Sequence, residues 1–157
     1  MGLLPTESAA GHLGELVRFA HSKNAEVVVI SGRVESEISA LDPAERGDFL
    51  SSLGLKESGL ARLARAGYKL LDLITFFTIG PKEAHAWTCR AGDTAPVGAG
   101  KIHSDFQKGF IRAEVISYSD YVEWNGEQGA KEKGLLRVEG KQYIMQDGDI
   151  VHFRFNV

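Results

Sequence analysis

Read from its N-terminus, the chain switches between helical and extended spacings of its apolar residues. Leu13, Leu16, Val17 and Ala20 recur at three- and four-residue steps, which predicts a helix over His12–Ser22 with Asn24 as its stop. Met1–Gly11, small and polar, predicts no element. Glu26-Val27-Val28-Val29-Ile30 breaks the helical step and reads as a strand apolar on both faces, the kind found inside parallel sheets covered by helices. Burying those side chains would stabilise by roughly 1.5–3 kcal/mol each, yet no other βα unit in the chain supplies a neighbour. The strand is therefore expected to belong to a larger α/β domain whose remainder lies outside this sequence. After it, Ser31-Gly32-Arg33 turns into a helical run starting at Val34-Glu35-Ser36-Glu37-Ile38. Asp42-Pro43-Ala44-Glu45 has the parts of a helix start: a capping Asp, proline at the first helical position, and Glu three residues after the cap. Leu60, Leu63, Ala64, Gly67, Leu70 and Leu71 mark one amphipathic helix, with Arg62, Arg65 and Lys69 expected on its solvated sides.

From Leu73 the pattern turns to strands. Leu73–Thr78 and Ala84–Arg90 predict a hairpin about Gly80-Pro81. Asp93-Thr94 can cap a helix whose inward residues would be Val97, Ile102 and Phe106. Phe110–Ser117 reads as a third strand. Gln142–Gln146 and Asp149–Asn156 predict a second hairpin about Asp147-Gly148, a strong short-turn signal. Trp87 and the Phe76-Phe77 pair are expected in the core, because aromatics pack well on strands. Strand, strand, helix, strand and strand pair is the β-grasp order, so the fold class is α+β.

Composition and charge narrow the chemistry. Apolar residues make up 43% of the chain and charged ones 25%, ordinary for a globular protein. No run approaches the ~18 apolar residues of a membrane span, and no secretory signal pattern opens the chain. Cys89 is the single cysteine, so no internal disulfide can form; it reads as a strand residue in a reducing, cytoplasmic setting. A net charge of −3 argues against coating DNA or other nucleic acid nonspecifically, so any RNA contact needs a local patch. Lys82, Arg90, Lys101, Lys108 and Arg112 are the candidates for one, with Trp87 or Phe110 nearby. Against it, the segment from Asp72 onward holds ten Lys/Arg and twelve Asp/Glu, the balance of a mixed, solvated surface.

Catalytic and metal chemistry find no footing. A P-loop needs G-x-x-x-x-G-K-[ST], and Gly100-Lys101 is followed by Ile102 without the preceding spacing. The five histidines have no H-x-x-x-H or C-x-x-C company, so no metal site is expected. His103 with Asp105 reads as local capping rather than acid/base work. No catalytic residue is assigned.

The wording of the chain then adds a resemblance. Phe76-Phe77-Thr78, Gly80-Pro81-Lys82-Glu83, Ala86-Trp87-Thr88, Ile102-His103-Ser104-Asp105-Phe106, Lys108 through Val115, and Asp147-Gly148-Asp149-Ile150 with Phe153 through Val157 resemble the C-terminal TGS domain of the YchF family, the Obg-like ATPases. The match extends upstream through Leu53-Gly54-Leu55, Glu57-Ser58-Gly59-Leu60 and Ala66-Gly67-Tyr68. The resemblance implies a ubiquitin-like β-grasp (TGS) domain over 72–157, a helical connector over 42–71, and in 1–41 the end of a P-loop nucleotide-binding domain. It implies ATP or GTP with Mg²⁺ in the complete protein and no cofactor in this chain. Ser31 and Gly32 resemble a base-contacting loop, commonly S-A-K in related GTPases, although Gly32 and Arg33 depart from that wording. The implied role is a ribosome- or RNA-binding, or protein-binding, regulatory module of a translation factor, with the missing nucleotide domain in cis. A stand-alone TGS regulatory domain is the alternative. A sulfur carrier of the same fold would need a Gly-Gly end, and this chain closes Phe155-Asn156-Val157.

Overall fold

The computed structural model describes the backbone of residues 7–156 and the side chains of residues 11–156; most of the Met1–Gly11 lead-in and Val157 lie outside that range. The chain divides into two compact units, Met1–Leu70 and Leu71–Val157.

The first unit is helical. α1 runs from Glu7 to Ser22, beginning five residues before the predicted start at His12. Asn24 ends it in the left-handed region (φ 53°), with the Asn24 and Ala25 amides donating to the His21 and Ala20 carbonyls. The segment Ala25–Ile30 forms no strand, contrary to the apolar pattern. A strand exists only through its ladder, and the described residues offer none beside it. α2 (Gly32–Ala40) follows, capped by the Ser31 hydroxyl, which accepts from the Val34 amide at 3.4 Å. α3 is Arg46–Ser52. The predicted start at Asp42 is a turn instead: Asp42 accepts from the Ala44 amide through its carboxylate and from the Glu45 amide through its carbonyl. That closed turn delays the helix to Arg46. α4 spans Gly59–Leu70.

α4 departs from the expected polarity at Arg62. Arg62 is half-buried and donates to the Val29 carbonyl at 2.9 Å, while Leu60, Leu63 and Leu70 are 66%, 48% and 77% exposed. Periodicity states which residues share a face but not which way that face points. Here Arg62 alone turns inward; Arg65 and Lys69 stay 72% and 77% exposed, as expected, while pairing with Glu57 and Glu26, and the leucines lie outward as well.

The second unit is a mixed five-stranded sheet in the order β2-β1-β5-β3-β4. Its strands are β1 (Leu73–Ile79), β2 (Ala84–Arg90), β3 (Phe110–Ser117), β4 (Arg137–Glu139) and β5 (Asp149–Phe155). β1 and β2 form the predicted hairpin in continuous antiparallel register, Leu73 opposite Arg90 and Ile79 opposite Ala84. β5 lies between β1, to which it is parallel, and β3, to which it is antiparallel. The second hairpin does not form. Asp147-Gly148 is a turn, but Gln142–Gln146 does not pair with β5; Ile144 bridges Thr94 instead. Thr75 explains the difference, since its amide donates to the Asp147 carboxylate at 2.8 Å and its carbonyl accepts from Gly148 at 2.8 Å. The turn is thereby clipped to β1 and feeds β5 into the middle of the sheet.

One face of that sheet carries the core. Phe76, Cys89, Ala113, Val115, Val151 and Phe153 meet α5 (Ala95–Ile102) through Ala95 and Ala99. Small residues at Ala95, Gly98 and Ala99 let α5 lie close, and a Cβ on Gly98 would press on Met145 at 3.3 Å. Val97 is only half-buried and outside this cluster, whereas Ile102 and Phe106 pack against it as expected. The helix breaks at His103, and Phe106 rides on α6 (Ser104–Lys108), stacked on Phe155 at 3.8 Å. Phe76 is fully buried, but Phe77 points to the opposite face, as consecutive strand residues must. Trp87 flanks the core, its indole donating to Thr78 at 2.9 Å. Gly109 sits where a Cβ would fall 1.9 Å from the Asn156 carbonyl oxygen, so only glycine fits. On the other face, α7 (Tyr118–Glu123) and α8 (Glu127–Glu132) connect β3 to β4.

Candidate functional site

No helix among the described residues is long and apolar enough to cross a membrane. No group of three or more His, Cys, Asp or Glu among them converges as a metal would require. His103 does what its spacing predicted: its Nδ1 accepts from the Asp105 amide at 3.2 Å and caps α6. Cys89 is 1% exposed, and burial, assisted by Asp93, pushes its thiol up to about 11. A thiol that stays protonated is no nucleophile.

In the first unit, Ser31 and Gly32 stand together at the start of α2. The Ser31 hydroxyl is engaged in its cap, and a Cβ on Gly32 would meet nothing within 4 Å. Arg33 turns away to pair with Glu37 at 2.9 Å. Beside Ser31 and Gly32, Val27–Val29 and α4 border an open groove of about 410 Å³. Arg62 donates into it at Val29, Arg65 pairs with Glu57, and Lys69 reaches Glu26 at 3.2 Å. The Arg62 Nε is buried with no hydrogen-bond partner among the described residues.

The five candidate cations of the second unit do not form one cluster. Lys82 lies in the β1–β2 turn and Arg90 at the far end of β2, so a whole strand of about 20 Å separates them. Lys101 and Lys108 are exposed on α5 and α6, over the core face. Arg112 belongs to the opposite face of the sheet, where it pairs with Glu114 at 3.3 Å. Arg154 grips the same carboxylate with two bonds, at 3.2 and 2.9 Å. The Arg154 hydrogen bonds, with Arg112 beside them, hold the Glu114 carboxyl below the usual range.

Sequence reasoning missed two polar devices. Glu35 of α2 caps α4 from a distance, accepting from the Gly59 and Leu60 amides at 2.6 and 3.2 Å. Asp149, 2% exposed, accepts from the Tyr143 hydroxyl at 2.8 Å and the Gln146 amide at 2.9 Å, with Arg137 at 3.6 Å. Burial first, then the bond to Asp149, pushes the Tyr143 phenol up to about 12, which keeps it a donor. The available signal was a carboxylate directly before the apolar pair Ile150-Val151 at the start of β5.

Comparison with known proteins places this geometry. The family model for the YchF-GTPase C-terminal region, described as a protein of unknown function (DUF933), matches residues 73–156. The chain is 55% identical over 146 residues to the ribosome-binding ATPase YchF of Haemophilus influenzae and 50% identical over 146 residues to that of Bacillus subtilis. Each match covers 93% of this chain and 40% of the relative, so the chain spans about two fifths of their length. Among solved structures, the Schizosaccharomyces pombe YchF GTPase superposes with a TM-score of 0.80 at 31% identity, over 91% of this chain and 38% of that one. A GTP-binding protein from Pyrococcus horikoshii shares the fold with a TM-score of 0.62 at 22% identity, over 93% of this chain and 42% of that one. With its sheet unit matched almost end to end, this chain belongs to the YchF family and corresponds to the family's C-terminal region.

Proposed function

We propose that this chain is the binding and regulatory end of a cytoplasmic, ribosome-associated translation factor, and that nucleotide hydrolysis is carried by a domain outside it. The observation that carries the reading is the 55% identity, over 93% of the chain, to a protein named a ribosome-binding ATPase. The second unit is read as a TGS domain of β-grasp type; its strand order β2-β1-β5-β3-β4, with α5 across one face, supports this. Residues 1–41 are read as the end of a nucleotide-binding domain in cis, whose missing strands would lie along Val27–Ile30 and fill the groove beside α4, and residues 42–71 as a helical connector. ATP or GTP with Mg²⁺ would bind mainly to that missing part, with Ser31 and Gly32 limited to the base. The chain itself supplies no G-x-x-x-x-G-K-[ST] segment.

Ribosome or RNA contact is assigned first to Lys101 and Lys108, which share the helical side, and only secondarily to Lys82, Arg90 and the already paired Arg112. Co-sedimentation with ribosomes tests this directly. The chain should pellet with ribosomes at low salt and be released as salt rises. Lys101→Glu with Lys108→Glu should release it at lower salt, while Arg112→Ala should change little. Absence of co-sedimentation would favour a TGS regulatory domain that acts elsewhere. ATP turnover by the purified chain, abolished by changing one of its own residues, would refute the separation of binding from chemistry.

A further inference from the structure

The first turn of α4 is built against the stretch of chain that opens α2. The Gly59 and Leu60 amides donate to the two Glu35 carboxylate oxygens at 2.6 and 3.2 Å, and the Ala61 amide donates to the Ser58 hydroxyl at 3.1 Å. Gly59 is buried there, and a Cβ on it would fall 2.8 Å from the Glu35 carboxylate and 2.9 Å from the Ile30 side chain. Further along the turn, Arg62 donates to the Val29 carbonyl at 2.9 Å. In sequence, Val29 and Ile30 lie just before Ser31, and Glu35 lies one helical turn after it.

These contacts bracket the Ser31–Gly32 turn. The Ser31 carbonyl accepts from the Glu35 amide at 3.0 Å, and its hydroxyl accepts from the Val34 amide at 3.4 Å. Ser31 thereby sets the first turn of α2, and that turn aims the Glu35 carboxylate at α4. Hydrogen bonds run from Ser31 through Glu35 to Gly59, and the packing of Ile30 on Gly59 runs beside them, so the path is physically continuous. Both links are stiff. The carboxylate takes two orphan amides where the helix dipole favours negative charge, and such charge-assisted bonds are the stronger kind. The close fit at Gly59 leaves no room for α4 to slide over Ile30 without displacing it.

We propose that the Ser31–Gly32 turn and the first turn of α4 form one coupled element, in which ordering either orders the other, with Glu35 as the positioning residue between them. What the coupling serves rests on the reading of Ser31 and Gly32 as a base contact. A nucleotide held there would steady α4, and its release would loosen that helix. α4 is the last helix before the sheet unit, and only Leu71 and Asp72 separate it from β1.

Hydrogen exchange of the full chain, without nucleotide, tests the coupling in both directions. Ser31→Ala removes the α2 cap and should speed exchange at Val34 and, across the Glu35 bridge, at Gly59 and Leu60 by about threefold. Gly59→Ala brings in the intruding Cβ and should speed exchange at Val34 and Glu35 by a comparable factor, since coupling is reciprocal. Arg62→Met, which adds no bulk, perturbs from the α4 side in the same direction should Gly59→Ala fail to fold. Amides beyond the first turns of α2 and α4 should change much less. A Ser31→Ala variant that leaves Gly59 and Leu60 unchanged overturns the coupling. Equal acceleration along both whole helices also overturns it, because that marks general loosening of the unit. Repeated with ATP as the probe, the exchange reads the base contact separately: unchanged protection at Gly32–Val34 would remove that contact and leave the coupling standing.

Discussion

Asp149 is where a single residue has the largest structural consequence. It begins β5, the strand that joins both halves of the sheet, and it is almost wholly buried. Its oxygens satisfy the Tyr143 hydroxyl and the Gln146 amide, which fixes the loop leading into β5. Arg137 extends the network to β4 by donating to the Tyr143 oxygen at 3.2 Å. Removing the carboxylate would leave the half-buried Tyr143 hydroxyl and the Gln146 amide without their acceptor, and Arg137 with Glu139 as its remaining counter-charge. Asp149→Ala should therefore cost about 3 kcal/mol, at the lower limit for breaking a buried charged network because Arg137 remains partly solvated. Tyr143→Phe, which leaves the carboxylate paired, should cost about 1 kcal/mol. Urea unfolding of the two variants checks both, and a loss below about 1 kcal/mol for Asp149→Ala would mean that water replaces its partners. The sequence placed Asp149 at the start of a strand after the Asp147-Gly148 turn but did not show its partners. The partners that define its role come from β4 and from the loop after it.

At the scale of elements, legibility tracks how local the determining contacts are. β2 and β3 occupy the spans their alternation predicts, because a half-buried strand records its burial in period two. Ala25–Ile30 and Gln142–Gln146 have strand-like composition yet form no strand, since a ladder needs a partner and composition cannot supply one. The orientation of α4 was hidden for a similar reason. Its leucine periodicity is clear, but the acceptors on its opposite side, Val29, Glu57 and Glu26, lie 8 to 43 residues from the cations they hold. Glu35 contributes the remaining tie, and its effect can be isolated. Its carboxylate takes two of the orphan amides at the α4 N-terminus, where a negative charge also opposes the helix dipole. Glu35→Ala should cost about 1 kcal/mol and speed hydrogen exchange at Gly59 and Leu60 roughly fivefold. Amides later in α4, beyond the first turn, should change much less. Unchanged exchange at both amides would remove Glu35 from the account of how α4 is held.

For the whole molecule, the two units differ in how much they bury. The second has a continuous core in which Phe76, Ala95, Ala99, Ala113 and Val115 are at 0% exposure. The first buries Ala20, Val34 and Ile38 at 7–8% exposure as its only buried apolar side chains among the described residues, while Phe19, Leu60, Leu63 and Leu70 stay largely in water. Hydrophobic stabilisation scales with apolar area removed from water, so the two units should not share one stability. Residues 71–157 produced alone should melt in a single cooperative transition, because the sheet unit contains every strand and the whole core cluster. Residues 1–70 alone should show helical circular dichroism that declines gradually on heating, without a sharp midpoint, since local hydrogen bonds survive where packing is thin. In the intact chain, hydrogen exchange should then be slowest in β3 and β5 and fast throughout α1 and α3. A cooperative melt of 1–70, or failure of 71–157 to fold, would show that the exposed apolar residues understate what holds the first unit together. If the contrast holds, the helical unit is the part whose order depends on what covers it, and the sheet unit carries its own stability.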